Sequence, residues 1–306
     1  MKTDTQLMNE LAVKSGYLKP MEEDDSKALK QLLLEMYKDI AGLCDKHGLV
    51  YMMGGGTCLG TVRHQGYIPW DDDLDLMMPR ESYEQLIILC EQRALGDKYE
   101  IDAPNAHADC KNPFLKIYRK NTLDVELSSE NAPGPRGVFI DVFPIDSAPK
   151  RKWQQMMKGL VSDFLYAVCT SVLYAQYPSP KYKAFMSLDD EALKRYKLRL
   201  FIGKVFGIIN HRHWVWWFDR FNASNKNTGF TTIPTGRKHY YGEVHPTEVF
   251  VPTAKGYFEG LEVNLPAHAD AYLKALYGDY MKVPPEEKRE RHFFYLFSVG
   301  TNKKEI

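Results

Sequence analysis

Residues Pro69 to Met78 read PWDDDLDLMM, with four carboxylates in five positions between apolar neighbours. Like charges this close repel, and when partly buried they destabilise a fold unless something neutralises them. A solvated acidic run is normally bordered by polar residues, whereas this one is bordered by Ile68, Trp70, Leu74, Leu76 and Met77. Read as a strand, the segment turns Asp71, Asp73 and Asp75 to one side and Trp70, Asp72, Leu74 and Leu76 to the other. Asp73 and Asp75 then stand about 6.5 Å apart, near enough to converge on one divalent cation. A carboxylate set suits Mg²⁺ or Mn²⁺ better than zinc.

Upstream, Ser26 to Lys46 carries Leu29, Leu32, Leu33, Met36, Ile40 and Leu43 at helical spacing, and Gly48 stands where a helix would stop. LVYMM then reads as a short strand, GGG as a tight turn, and TCLGTVRH as a short helix capped by Thr57 and ended by Gly66. Gly55, Gly56 and Thr57 are placed to face a phosphate with their backbone N–H groups while the acids hold its metal. By itself the glycine turn is equally an ordinary strand-to-helix connection.

Downstream, GVFIDVFPID puts Phe139, Asp141 and Phe143 on one face of a central strand. An Asp between bulky β-formers is costly unless liganded, so Asp141 is the expected third metal ligand. Asp146, beyond the proline, is expected as a loop cap. NPFLKIYRKNTLDVEL reads as a hairpin turning at Lys120 and Asn121, with Lys116 either a phosphate contact or a solvated edge lysine.

In the 306-residue chain, 40 Lys and Arg balance 40 Asp and Glu, so no global basic field exists to gather nucleic acid. Five cysteines without a CxxC pair argue against a disulfide framework and against a zinc site. The N-terminal stretch is polar and lacks the apolar core of a signal peptide, which points to the cytoplasm. The expected class is α+β: a polar tail over 1–24, a core with a mixed sheet flanked by helices over 25–150, a helical insert over 151–228, and strands and a helix over 229–306 that complete the cleft. In the insert, the stretch holding Asp163 reads as too short and too polar to span a membrane. RLFIGKVFGIINHRHWVWWFDRF favours core packing, with a membrane interface as the alternative. In the last quarter, YYGEVHPTEVFVP and YFEGLEVNLP have strand texture, AHADAYLKALYG is helical up to Gly278, and Glu259 and His245 are weaker site candidates.

GGGTCLGTVRHQGYIPWDDDLDLMMPRESYE, GVFIDVFPID and the late LYGDYMKVPPEEKRERH together resemble the LicD family of phosphotransferases, related to fukutin-type ribitol-phosphate transferases. The likeness runs in order from about residue 25 to about residue 292 and implies a nucleotidyltransferase-like fold. It matches Asp73 and Asp75 to the superfamily's two metal-binding acids and Asp141 to the acid of the later strand. It also sets Gly55, Gly56 and Thr57 where nucleotide phosphates are held, with Arg63 and His64 in the link that follows. Asp71 and Asp72 belong to the motif, and Asp279 lies in a family mark near the cleft. The activity implied is metal-dependent transfer of a phospho-alcohol, such as phosphocholine, from a CDP-activated donor to a hydroxyl of a cell-surface glycan, with release of CMP. A lipid-linked acceptor would bring peripheral contact with the inner face of the membrane. The alternatives are transfer of NMP from an NTP with release of pyrophosphate, and a non-catalytic nucleotide or glycan binder.

Overall fold

The structure, a computed structural model, describes residues 11–12, 15, 18, 21–105, 107–286, 289, 295–300 and 304–305. Helix α1 (Glu23–Lys46) begins three residues before the expected start, and Glu23, Asp24 and Asp25 fill its first turn, where negative charge complements the helix dipole. It buries Leu29, Leu33, Met36, Ile40 and Leu43, and Gly48 beyond its end takes φ +64°. Then follow β1 (Met52–Met53), α2 (Gly55–His64), β2 (Asp75–Pro79), α3 (Arg80–Glu91), β3 (Tyr99–Asp102), β4 (Leu115–Arg119), β5 (Leu123–Val125) and β6 (Phe139–Ser147).

The main sheet runs β1-β2-β6-β4-β3, with β2 and β6 parallel and the other pairs antiparallel. Leu76, Val142 and Leu115 form one fully buried row across three strands. That face packs with α1 and α3 into the main core. Alternation along each strand then turns Asp75, Asp141 and Lys116 to the opposite face.

The acidic motif is not a strand throughout. β2 begins only at Asp75, and residues 71–74 have no regular structure, because β1 offers two pairing residues and ends at Met53, opposite Leu76. The expected hairpin is also absent. β4 lies between β6 and β3, while β5 leaves the main sheet to pair with β11 (Leu296–Ser298), which also pairs β12 (Lys304–Glu305).

Asp146 is not a loop cap, since β6 continues through Pro144 to Ser147. Its carboxylate is fully buried and grips Arg80 through both oxygens at 2.7 Å, and Arg80 reaches Asp219 at 2.8 Å. This network ties the start of α3, the end of β6 and the insert together.

The insert holds α4 (Lys152–Gln176), α5 (Pro180–Met186), α6 (Asp190–Phe206) and α7 (His211–Asn222). Ser179, Asp189 and Asn210 cap the last three through their side chains. Val168, Cys169 and Val172 of α4 pack on Trp214, Val215 and Phe218 of α7, so that part of the basic and aromatic run is core. Part of the expected tail is packed too: Leu11, Ala12 and Leu18 are buried with Tyr182, Phe185 and Tyr196. At 25 residues α4 is long and apolar enough to cross a membrane, contrary to the reading from Asp163, and about a third of its apolar window is buried in the fold. Its outer side presents Trp153, Met156, Met157, Leu160 and Phe164 at helical spacing, beside exposed Leu198, Phe201 and Val205 of α6.

After the insert, β7 (Phe230–Thr232) extends the sheet along the end of β6, and β8 (His245–Pro246) pairs with β7. Part of the expected strand at YYGEV is instead the short helix α8 (His239–Gly242). β9 (Ala254–Phe258) and β10 (Leu261–Leu265) form a hairpin, and α9 (Ala269–Tyr277) stops at Gly278, φ +69°. Of the RERH segment only Arg289 lies among the described residues, 4.3 Å from the Trp70 ring.

Candidate active site

The turn that starts α2 is built on Asp75. Gly54 N–H donates to the Asp75 carbonyl at 2.9 Å, and Asp75 N–H donates to Thr57 Oγ1 at 2.9 Å. Both backbone groups of one aspartate therefore tie helix to strand. Thr57 is not the cap: Gly54 holds that position, and Thr57 is buried as the third helical residue with its hydroxyl committed to Asp75. A Cβ on Gly55 would stand 2.9 Å from Asp75 Oδ2, and one on Gly56 would stand 2.8 Å from Asp71 Oδ2. The carboxylates thus lie against bare backbone, and any larger residue would push into them. Gly55 N–H donates to Tyr272 Oη of α9 at 3.2 Å, so the C-terminal helix secures the turn as well.

Gly55 and Gly56 line an open cleft together with Asp71, Asp73, Asp75, Met77 and Phe143. Asp72 is not part of that lining. The rest of the lining comes from the far end of the chain, with Thr235, Gly236, Arg237 and Glu243 joined by Tyr272 and Tyr277. Arg237 lies 5.3 Å from the Tyr277 ring.

Asp141 is in register with Asp75 across the parallel β2–β6 pair and with Lys116 across β4. Lys116 Nζ lies 3.1 Å from Asp141 Oδ1 and 3.5 Å from the centre of the Phe139 ring. Lys116 is buried on an inner strand, neither solvated nor at an edge. It also lines a second, smaller hollow with Asn112, Tyr118 and Arg136. Burial raises the Asp141 pKa above the usual carboxylate range, Lys116 pulls it back, and the charge of Asp73 pushes it up again. Burial opposes the charge on Lys116, yet the carboxylates of Asp141 and Glu126 keep its pKa above the ordinary value.

Other expected residues lie apart. Arg63 and His64 close α2 at the end away from Gly55 and Gly56, about 12 Å along the axis. Arg63 donates to His64 Nε2 at 3.0 Å and to the Tyr280 carbonyl at 2.7 Å. Asp279 is exposed, while Tyr277 of the same YGDY string faces the cleft. Glu259 accepts the Tyr67 N–H at 3.0 Å and so fastens the link after α2. His245 is buried against the rings of Phe250 and Tyr272.

Sequence reasoning missed Thr235, Arg237 and Glu243. The one available signal was Glu243 itself, a carboxylate in an aromatic and apolar stretch, YYGEVHP.

The donor chemistry at the acids fits a hard divalent cation, since oxygen ligands press on a side-chain-free turn. Among the described residues, no three His, Cys, Asp or Glu side chains converge as placed into one metal-holding cluster. Asp73 and Asp75 line the cleft, while Asp141 beside them is engaged by Lys116.

Residues 48–166 match the family described as LicD/FKTN/FKRP, nucleotidyltransferase domain. The chain is 26% identical over 266 residues to the lipopolysaccharide cholinephosphotransferase LicD of Haemophilus influenzae, covering 82% of this chain and 89% of that protein. It is also 38% identical over 87 residues to an uncharacterized protein of Rickettsia prowazekii, covering 28% of this chain and 32% of that one.

Proposed function

Because this chain carries a LicD-family nucleotidyltransferase domain, we propose that it is a phosphotransferase that moves a phospho-alcohol, phosphocholine or a similar group, from a CDP-activated donor to a hydroxyl of a cell-surface glycan. The observation that carries this reading is the register of Asp75 with Asp141, beside a glycine turn that the acids press against. The named activity of the Haemophilus relative supports the phosphocholine and glycan parts.

Gly55 and Gly56 admit the donor's diphosphate close to backbone. Asp73, Asp75 and Asp141 would hold Mg²⁺ or Mn²⁺, which when bound screens the diphosphate charge and stabilises the leaving CMP. The acceptor oxygen attacks the phosphorus that bears the alcohol, the bridging P–O bond breaks toward CMP, and one of the three carboxylates takes the hydroxyl proton. Most of the acceleration then comes from positioning and charge, without a dedicated histidine base.

The acceptor is lipid-linked in this reading, and the enzyme works in the cytoplasm against the inner face of the membrane. The exposed apolar stripe of α4 and α6 supports that placement. On α6 it is flanked by Lys194, Arg195, Lys197, Arg199 and Lys204, with Asp190 and Glu191 confined to the first turn.

The deciding experiment incubates the protein with Mg²⁺ and a panel of CDP-alcohols, with and without glycan acceptors. CMP release that depends on one CDP-alcohol supports the reading. Pyrophosphate release from an NTP, with no CMP from any CDP-alcohol, would replace it with nucleotidyl transfer.

A further inference from the structure

Glu243 lines the same cleft as the acids, and it is 1% exposed. Its Oε1 accepts the Lys238 N–H at 3.0 Å. Its Oε2 is buried and has no hydrogen-bond partner among the described residues. The carboxylate lies flush under the turn in which Gly236 N–H donates to the Ile233 carbonyl, and a Cβ on Gly236 would come 2.7 Å from Oε2. Thr235 Oγ1, in the same lining, is likewise buried and without a hydrogen-bond partner among the described residues. Buried polar atoms are normally satisfied, and two orphans in one cleft mark the place where a ligand's hydrogen-bonding edge arrives.

Phe143, Tyr272 and Tyr277 line the same cleft. A ligand whose phosphates meet Gly55 and Gly56 and whose far edge meets Glu243 lies in a cavity lined by these rings, which suits a flat aromatic body. We propose that Glu243 reads the nucleobase of the donor, its Oε2 accepting a hydrogen bond from the exocyclic amino group of a cytosine. This assignment rests on the CDP-dependent reading given above. Uracil carries a carbonyl oxygen where cytosine carries that amino group, so above pH 7, where the carboxylate of Glu243 is ionised, it meets a second acceptor and repels it. Burial pushes the Glu243 carboxyl up to about 7, against the pull of Lys238 and Arg237, so a ligand donor relieves an unfavourable charge.

The test is calorimetric titration of the full chain, with Mg²⁺ present, by CDP, UDP and inorganic pyrophosphate. The parent should bind CDP at least about tenfold more tightly than UDP. Glu243→Gln is nearly isosteric and offers either an acceptor or a donor, so its CDP-to-UDP ratio should fall toward one while pyrophosphate binding is unchanged. Glu243→Asp keeps the charge but withdraws the oxygen, and should lose the preference as well. Preserved preference in both variants overturns the assignment and leaves the transferase reading standing. A parent that binds neither CDP nor pyrophosphate overturns both.

Discussion

Lys116 Nζ and Asp141 Oδ1 stand 3.1 Å apart on adjacent strands, on one face of the sheet, the lysine buried and the aspartate largely so. The lysine places one positive charge beside Asp141, on the side away from Asp75. Removing one member of a buried pair leaves the other uncompensated, at a cost of about 3–5 kcal/mol. Lys116→Met and Asp141→Asn should each lower stability, and Lys116→Met/Asp141→Leu should recover much of the loss. A double-mutant cycle by urea unfolding measures the coupling, and additive losses would deny the pair any mutual dependence.

For the acids on the cleft wall, neutralisation separates a ligand role from a repulsive patch. Asp73→Asn and Asp75→Asn should abolish the rise in melting temperature that Mg²⁺ or Mn²⁺ gives the parent. Turnover should drop at least about a hundredfold, roughly 2.7 kcal/mol of transition-state stabilisation. Asp72→Asn, outside the cleft lining, should cost less. Surviving activity in both of the first two variants would end the metal assignment.

Arg80 predicts a purely structural loss. It is gripped by Asp146 and Asp219 at the junction of sheet and insert, so Arg80→Met should destabilise by about 3–5 kcal/mol, because the fully buried Asp146 loses its counter-charge while Asp219 keeps Arg220, at 2.9 Å. Chemical denaturation checks this, and a change under 1 kcal/mol would mean that water already satisfies those acids.

Glu243 should leave a signature in pH titrations of stability. Burial pushes the carboxyl up from its ordinary value of 4.5 to about 7 in the fold. Between those values the native chain holds more protons than the unfolded one, so the contribution of Glu243 turns unfavourable as pH rises. Relative to Glu243→Gln, the parent should gain up to about 3 kcal/mol as pH falls from 8 to 4. Paired unfolding curves across that range measure it, and a constant difference would place the carboxyl in the ordinary range.

The stripe on α4 and α6 predicts sedimentation with phosphatidylglycerol vesicles that weakens with salt, since basic residues flank an apolar face. Leu160→Glu and Phe201→Glu should each reduce it, both side chains being well exposed. Binding to neutral vesicles alone, insensitive to salt, would remove the electrostatic part.

The gathering of Asp71, Asp73 and Asp75 on one side was more legible than their setting. Period-two alternation separated Asp72 from its neighbours even though residues 71–74 form no strand, since an extended segment alternates without a pairing partner. Asp141 could be read because an acid among bulky β-formers is costly. Lys116 could not be placed, because strand order decides whether a lysine is at an edge, and β4 gains its inner position from β3 and β6 rather than from its own residues. Asp146 was misread for a related reason: Pro144 suggests an end, yet β6 continues past it. Arg63 and His64 follow the glycine turn closely in sequence, but a ten-residue helix carries them to its other end. Thr235 and Arg237 were invisible, and Glu243 showed only as a carboxylate in an apolar stretch, because the acids that line the cleft with them lie more than a hundred and fifty residues upstream.

The lining of the cleft descends from separate stretches of chain. Every acid and glycine of the reacting side falls within 48–166, the span shared with the family, while Thr235, Arg237, Glu243 and Tyr277 fall outside it. Because residues 71–75 and 235–277 line one cavity, the site exists only in the folded whole, and a fragment ending at residue 166 would keep the acids and glycines without the residues that complete the cleft.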